Sequence, residues 1–166
     1  MKEEVKKNEV RVGIADAKLI SPPGTIMTIG LGSCVGILLY DVIKKDTALI
    51  HIMLPDSTAF KETTNPYKFA DTAIPLMVKE MIKNGSSKKN LVSKIAGGAS
   101  MFNFSDKSII SDIGKRNSEA VKKTLKDIGI PVIAEDTGGD KGRTMILEAS
   151  TGKVMLKVVG RGTIEL

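Results

Sequence analysis

Residues 30–40 read GLGSCVGILLY, an uncharged stretch in which glycines lead into a run of apolar side chains. The segment DVIKKD separates it from a second apolar run, TALIHIM, at residues 47–53. Two short apolar runs joined in this way predict a β-hairpin with a long loop. Because both runs are hydrophobic almost without interruption, the two strands are expected to be buried on both faces.

The rest of the chain alternates further strand candidates with two helices. The strand candidates lie at Val10–Ala15, Ile26–Leu31 and within LVSKIAGGAS, IPVIAED, RTMILEA and KVMLKVV. Apolar residues at helical spacing predict helices over Tyr67–Asn84 and from about Asn117 to Ile128, closed by Gly85 and Gly129. Pro75 predicts either a kink in the first helix or a helix that begins there. The prediction is an α/β (α+β) sandwich of seven or eight strands, with both helices packed on a mixed, mostly antiparallel sheet. We expect one domain over residues 1–166.

Composition excludes several classes of protein. A single cysteine permits no internal disulfide and fits a reducing, cytoplasmic compartment, and the charged N-terminus lacks the apolar core of a signal peptide. Residues 19–40 carry no charge, but prolines and glycines interrupt them, which favours buried strands over a membrane span. The net charge of +6 suggests an acidic or phosphorylated partner. No aromatic residues alternate with the basic ones, so nucleic-acid binding is not predicted.

Cys34 and His51, the only cysteine and the only histidine, lie in the two runs of the predicted hairpin. In an antiparallel pair, the numbers of opposed residues add to a constant, and opposed residues share a face. For Cys34 and His51 this sum is odd, so any odd register places both side chains on one face. A loop centred between Ile43 and Lys44 would set His51 opposite Gly36 and diagonal to Cys34, within reach of long side chains. The sequence permits this contact without proving the register.

These residues allow two interpretations. Cys34 could be a nucleophile and His51 its base, with the Thr28 hydroxyl orienting the imidazole and backbone N–H groups near Ser33 and Cys34 binding an oxyanion. Alternatively, both are inert core residues, since a lone cysteine is usually buried and unreactive. A metal site is less favoured, because one cysteine and one histidine fall short of the usual ligand set. From the residues alone, both interpretations stay open.

Six motifs, in their order and spacing, resemble the CheD family of chemoreceptor glutamine deamidases. They are GLGSCVG, HIMLPDS, YKFADTAIP, KIAGGASMF, IGKRNSEAVKKTL and AEDTGGDKGR, and the resemblance extends from about Val12 to Gly160. It implies an enzyme that converts glutamines of methyl-accepting chemotaxis receptors to glutamate, with an α/β sandwich fold related to toxin deamidases. It places the family's catalytic cysteine on Cys34, its histidine on His51 and its supporting threonine on Thr28. It implies no cofactor and no metal.

The resemblance also implies partners and a second possible role. Family members bind the phosphatase CheC, which acts on phosphorylated CheY, so the chain could instead be a non-catalytic adaptor that stimulates a CheC-type phosphatase. Lys122 and Lys123 are a candidate patch for an acidic receptor surface. The glycine-rich stretches GGAS and DTGGDKGR are predicted to be tight turns, because neither has the spacing of a phosphate-binding loop. Asp136 and Arg143 could line the site, with no role assigned.

Overall fold

Ten strands and two α-helices make up the regular structure in a computed structural model, which describes residues 9–61, 64–100 and 112–166. The helices are α1 (Ala70–Lys83) and α2 (Ile113–Ile128). The strands are β1 (Glu9–Arg11), β2 (Asp16–Ile20), β3 (Thr25–Leu31), β4 (Val35–Asp41), β5 (Thr47–Ile52), β6 (Leu91–Gly97), β7 (Val132–Thr137), β8 (Arg143–Glu148), β9 (Lys153–Val158) and β10 (Gly162–Glu165).

The strands form two five-stranded sheets. Sheet A has the order β1-β3-β8-β9-β10 and sheet B the order β2-β5-β4-β6-β7. Pairing is antiparallel except between β1 and β3 and between β6 and β7. The predicted fold class, a mixed and mostly antiparallel α/β (α+β) architecture with two main helices, is therefore confirmed.

The number of strands and sheets differs from the sequence prediction. Residues 10–15 do not form one strand, because β1 ends at Arg11 and the chain turns through Ala15, whose φ is 56°. The following strand, β2, then joins the other sheet. The short β10 has mostly exposed residues, so it lacks the apolar pattern that reveals a strand. The strands form two sheets rather than the one predicted, and this turn is the first place where the chain passes between them.

Sheet B is covered on both faces. On one face, Val35, Ile37 and Leu39 of β4 pack in a core cluster with residues of α1 and α2. On the other, Leu38 of β4 and Leu49 of β5 join a second cluster with residues of sheet A. The hairpin strands are thus buried on both faces, as predicted, and the layers are sheet A, sheet B and the helices.

The helix boundaries correct two predictions. The first helix begins at Ala70, five residues before Pro75, so the alternative that it begins at the proline is wrong. The proline is exposed and lies in the second turn, where its missing N–H removes one backbone hydrogen bond. The second helix begins at Ile113, four residues before the predicted Asn117, and ends as predicted at Gly129, whose φ is 89°.

Parts of two sequence features lie outside the described residues, namely the end of KIAGGASMF and positions 62 and 63 of the loop after β5. No helix in the described ranges is long and apolar enough to cross a membrane.

Candidate active site

The register of the β4–β5 hairpin brings Cys34 and His51 to the same face of sheet B. His51 is directly opposite Gly36, which confirms the odd register considered from the sequence. His51 is next but one to Leu49, which packs in the core between the two sheets, and the partly buried Cys34 packs against the same core. Since alternate residues of a strand share a face, the imidazole points towards sheet A.

Thr28 reaches His51 from the opposite sheet. It lies on β3, and its Oγ1 is 2.7 Å from Nδ1 of His51. The same hydroxyl donates a hydrogen bond to the backbone carbonyl of Val12, at 2.8 Å. A hydroxyl has only one proton, so towards His51 it acts as the acceptor and Nδ1 carries the hydrogen. The neutral imidazole is therefore held in the tautomer whose Nε2 has a free lone pair.

His51 is completely buried, and its Nε2 has no hydrogen-bond partner among the described residues. Burial lowers the pKa of His51 to about 4, because an imidazolium would lose its hydration in this environment. At neutral pH the ring is therefore uncharged and able to accept a proton at Nε2. An unpaired buried nitrogen costs free energy, so it calls for an explanation beyond packing.

Cys34 lies in the short loop between β3 and β4. A bulge between Thr28 and Leu31, with Gly30 at a φ of 78°, redirects the chain just before it. Burial raises the pKa of the Cys34 thiol, while its own backbone N–H acts in the opposite direction by hydrogen bonding to the sulfur. Together with the lowered pKa of His51, this favours a neutral thiol and a neutral imidazole at rest.

The loop that carries Cys34 is held by the glycine-containing segment after β6. The backbone N–H of Gly98 donates to the carbonyl of Cys34, and that of Ala99 donates to the carbonyl of Gly32, both at 2.9 Å. A Cβ at Gly97 would lie only 2.2 Å from the Cys34 carbonyl oxygen, so only glycine permits this approach. Both glycines of GGAS have a positive φ, but the N–H groups of Gly98 and Ala99 bond to other segments, so the predicted tight turn is not closed within this stretch.

The backbone N–H groups of Ser33 and Cys34 lie in the loop that carries the thiol. Neither donates a hydrogen bond to another described residue. The Cys34 N–H is close to its own sulfur, which is where an oxyanion would develop after attack by that sulfur. These are the two groups that the sequence analysis named.

Asn117, on the first half of α2, was missed by the sequence analysis. Its Nδ2 donates to the backbone carbonyls of Ser33 and Met53, both at 2.9 Å, and the side chain is fully buried. Its Oδ1 has no partner among the described residues. One signal could have revealed it, since Asn117 precedes Val121 and Leu125 at intervals of four and so continues their buried face with a polar side chain.

The buried Arg143 and the half-buried Asp136 form an ion pair that braces the turn between β7 and β8. The guanidinium donates to Oδ1 of Asp136 at 2.9 Å and to the carbonyls of Gly97 and Gly138. These bonds tie the turn after β7 to the end of β6. The pair therefore supports the backbone behind the Cys34 loop, which agrees with the prediction that DTGGDKGR forms a turn.

The surface beside the site combines an apolar cavity with basic residues. A cavity of about 420 Å³ is lined by Leu54, Pro55, Asp56, Ala59, Phe60, Ile113 and Arg116. It begins three residues after His51 and extends to the residue before Asn117. On the outer part of α2, Lys122 pairs with Glu135 at 2.8 Å and Lys123 with Asp127 at 2.9 Å, so both candidate lysines have acidic neighbours.

Comparison with known proteins connects this arrangement to one family. A family model described as CheD chemotactic sensory transduction matches residues 53–158. A protein of Clostridium botulinum (strain Alaska E43 / Type E3), named "Probable chemoreceptor glutamine deamidase CheD", is 64% identical over 98% of this chain and 100% of its own length. A protein of the same name from Clostridium novyi (strain NT) is 59% identical over 95% of this chain and 98% of its own.

Among solved structures, a hypothetical protein of Bacillus licheniformis, YfiH, aligns with a TM-score of 0.47. The alignment covers 74% of this chain and 50% of that protein at 16% identity, a likeness too distant to bear on function.

Proposed function

The chain belongs to the CheD family, and from this premise we propose that it is a cytoplasmic protein-glutamine glutaminase that deamidates glutamine side chains of chemotaxis receptors. The name carried by its relatives supports this substrate. The observation that carries the mechanism is the 2.7 Å contact between Thr28 and His51, which leaves Nε2 of a buried, neutral imidazole unpaired on the face that Cys34 shares. A thiol on the same face of the sheet as such a base is suited to attack on a carboxamide.

The first half of the reaction forms a thioester. Nε2 of His51 accepts the thiol proton as Sγ of Cys34 bonds to the carboxamide carbon, and the carbonyl electrons move to its oxygen. The backbone N–H groups of Ser33 and Cys34 bind the resulting oxyanion. When the carbonyl re-forms, the C–N bond breaks, and protonated His51 gives its proton to the departing ammonia. The low pKa of His51 suits this step, because a weakly basic imidazole releases its proton readily.

The second half returns the enzyme to its starting state. His51 removes a proton from water, the hydroxide oxygen bonds to the thioester carbon, and the oxyanion again rests on the two backbone N–H groups. The C–S bond then breaks, and Cys34 recovers its proton from His51. One glutamine and one water yield one glutamate and one ammonia, and the sequence predicts no cofactor or metal.

Binding to a CheC-type phosphatase, and through it an effect on phosphorylated CheY, is a further part of this proposal that rests on the resemblance. It separates cleanly from catalysis, since it requires no thiol. A Cys34→Ala variant is therefore expected to bind such a phosphatase while failing to deamidate. Loss of binding in that variant would argue against a separate adaptor surface.

Mass spectrometry of a chemoreceptor cytoplasmic fragment, incubated with the protein, tests the enzymatic proposal. The wild type should raise the mass of specific glutamine peptides by the difference between glutamine and glutamate. Cys34→Ala should show no turnover, and His51→Gln should lose about 10²–10⁴-fold in rate, the usual contribution of a positioned base. Ser93→Ala is the matched control, because it removes a buried hydroxyl that bonds to the Pro131 carbonyl away from the site. Undiminished activity in Cys34→Ala would refute the mechanism.

A further inference from the structure

Asn117 joins the two segments that carry the reacting groups. Its carboxamide nitrogen has two hydrogens, and they go to the carbonyl of Ser33, just before Cys34, and to the carbonyl of Met53, two residues after His51. Asn117 is completely buried, with 0% of its surface accessible to solvent. One amide group in the helix layer therefore holds the start of β4 and the end of β5 at a set separation.

The bond to Ser33 also determines the direction of the Cys34 N–H. The Ser33 carbonyl and the Cys34 N–H belong to the same peptide group, which is planar and trans, so the two bonds point in opposite directions. Holding the carbonyl towards α2 aims the N–H away from the helix. A hydrogen bond accepted at the carbonyl also polarises the peptide group and strengthens its N–H as a donor.

We propose that Asn117 is a positioning residue that aligns the Cys34 backbone N–H as an oxyanion donor. This inference rests on the proposed function and adds a residue to it. The unpaired Oδ1 supports the assignment, since a buried acceptor without a partner costs free energy that an apolar residue would avoid. The amide is thus explained by what its two N–H bonds hold in place.

Two variants test the proposal. Asn117→Ala removes the donors, and Asn117→Leu removes them while filling a similar volume. Each is compared with the wild type and with Ser93→Ala. This control loses a buried side-chain hydrogen bond to the Pro131 carbonyl, away from the candidate site. Two rates are measured, namely deamidation of the receptor fragment, with kcat and KM separated, and alkylation of Cys34 by iodoacetamide. Alkylation requires the thiol and its base but develops no oxyanion.

We expect kcat to fall about 10–100-fold in both variants with KM nearly unchanged, somewhat less than the loss of a whole oxyanion donor. Alkylation of Cys34 should remain close to the wild-type rate, and Ser93→Ala should match the wild type in both assays. Equal losses in deamidation and alkylation would overturn the proposal, because Asn117 would then act on the thiol and its base.

The remaining outcomes are also decisive. An unchanged kcat in a folded variant would overturn the inference alone. Failure of both variants to melt cooperatively would assign Asn117 to the fold and overturn the catalytic role. A wild type without deamidase activity, under conditions where Cys34 alkylates normally, would refute the proposed function and this inference with it.

Discussion

Two buried polar clusters in this protein differ in how completely their atoms are paired. In the β4–β5 turn, Oδ1 of Asp46 accepts from Ser21 at 2.8 Å, and Oδ2 accepts from Lys44 at 2.7 Å and Asn84 at 3.0 Å. At the other end of the same hairpin, His51 has one nitrogen bonded to Thr28 and the other unpaired. Both residues are at most 1% exposed.

The difference separates a structural role from a chemical one. A buried carboxylate whose two oxygens both accept hydrogen bonds holds the turn together. A buried imidazole with an unpaired nitrogen lowers the stability of the fold. Because that nitrogen has no hydrogen-bond partner among the described residues, it stays available to act as a base. The contrast predicts that the turn acts on stability alone, whereas the His51 end acts on activity and, in acid, also on stability.

The largest expected effect is a loss of stability in acid that depends on His51. Its folded pKa of about 4 lies below the unfolded value of 6.5, so the unfolded state binds the proton more tightly. The contribution of the neutral His51 ring to the free energy of unfolding is fully present above pH 6.5 and is lost as the pH falls towards 4. By pH 4 the loss amounts to about 3 kcal/mol. Urea denaturation from pH 7.5 to 4 should therefore show a steeper decline in the wild type than in His51→Gln.

Other groups that titrate in acid are common to both proteins in this comparison. Burial opposes ionisation of Asp41, but hydrogen bonds from the backbone N–H groups of Lys44 and Ile43 hold its pKa below the usual range. Its contribution is also lost in acid, equally with and without His51. Parallel curves for the two proteins would contradict the assigned burial of a neutral histidine.

A substitution in the turn should have the next largest effect, confined to stability. Asp46→Ala removes the acceptor of three hydrogen bonds and is expected to lower the free energy of unfolding by about 2 kcal/mol. The deamidation rate of the folded variant should stay at the wild-type level. Urea denaturation and the receptor assay measure the two quantities on one sample. A large fall in kcat without a change in stability would reverse the roles given to the two clusters.

The smallest expected effect is that of Thr28→Val, which keeps the shape of the side chain and removes its hydroxyl. Without that oxygen, Nδ1 of His51 loses its acceptor and the tautomer with a free Nε2 is no longer favoured. A hydrogen bond of about 1.4 kcal/mol corresponds to about a tenfold loss in kcat. Steady-state kinetics should show this loss with KM little changed. Full activity in Thr28→Val would show that the base needs no orienting hydroxyl.

Much of the fold was predictable because it depends on local patterns. Alternating or continuous apolar runs identified most strands, and i, i+3, i+4 spacing identified both helices, with Gly129 ending the second by adopting a left-handed conformation. The failures have equally local causes. β10 carries little apolar signal, and the break between β1 and β2 occurs at a turn that the pattern over residues 10–15 conceals.

The candidate site divides in the same way. The sequence proposed Cys34, His51 and Thr28, and it showed that an odd hairpin register would place the first two on one face without deciding the register. The helical spacing could mark Asn117 as a polar residue on a buried face, but not its partners Ser33 and Met53, which are 84 and 64 residues distant along the chain. A contact of that separation exists only once α2 has packed on sheet B.

By itself, then, the sequence determined the residue types, the elements that carry them and the family to which the chain belongs, because each depends on side-chain chemistry and short-range spacing. Only the tertiary structure decided the register opposite Gly36, the tautomer of His51 and the lowering of its pKa. The register depends on how β4 pairs with β5, and the tautomer depends on the contact with Thr28 from the other sheet. The lowered pKa depends on the exclusion of water between the sheets. No local stretch of the sequence contains this information.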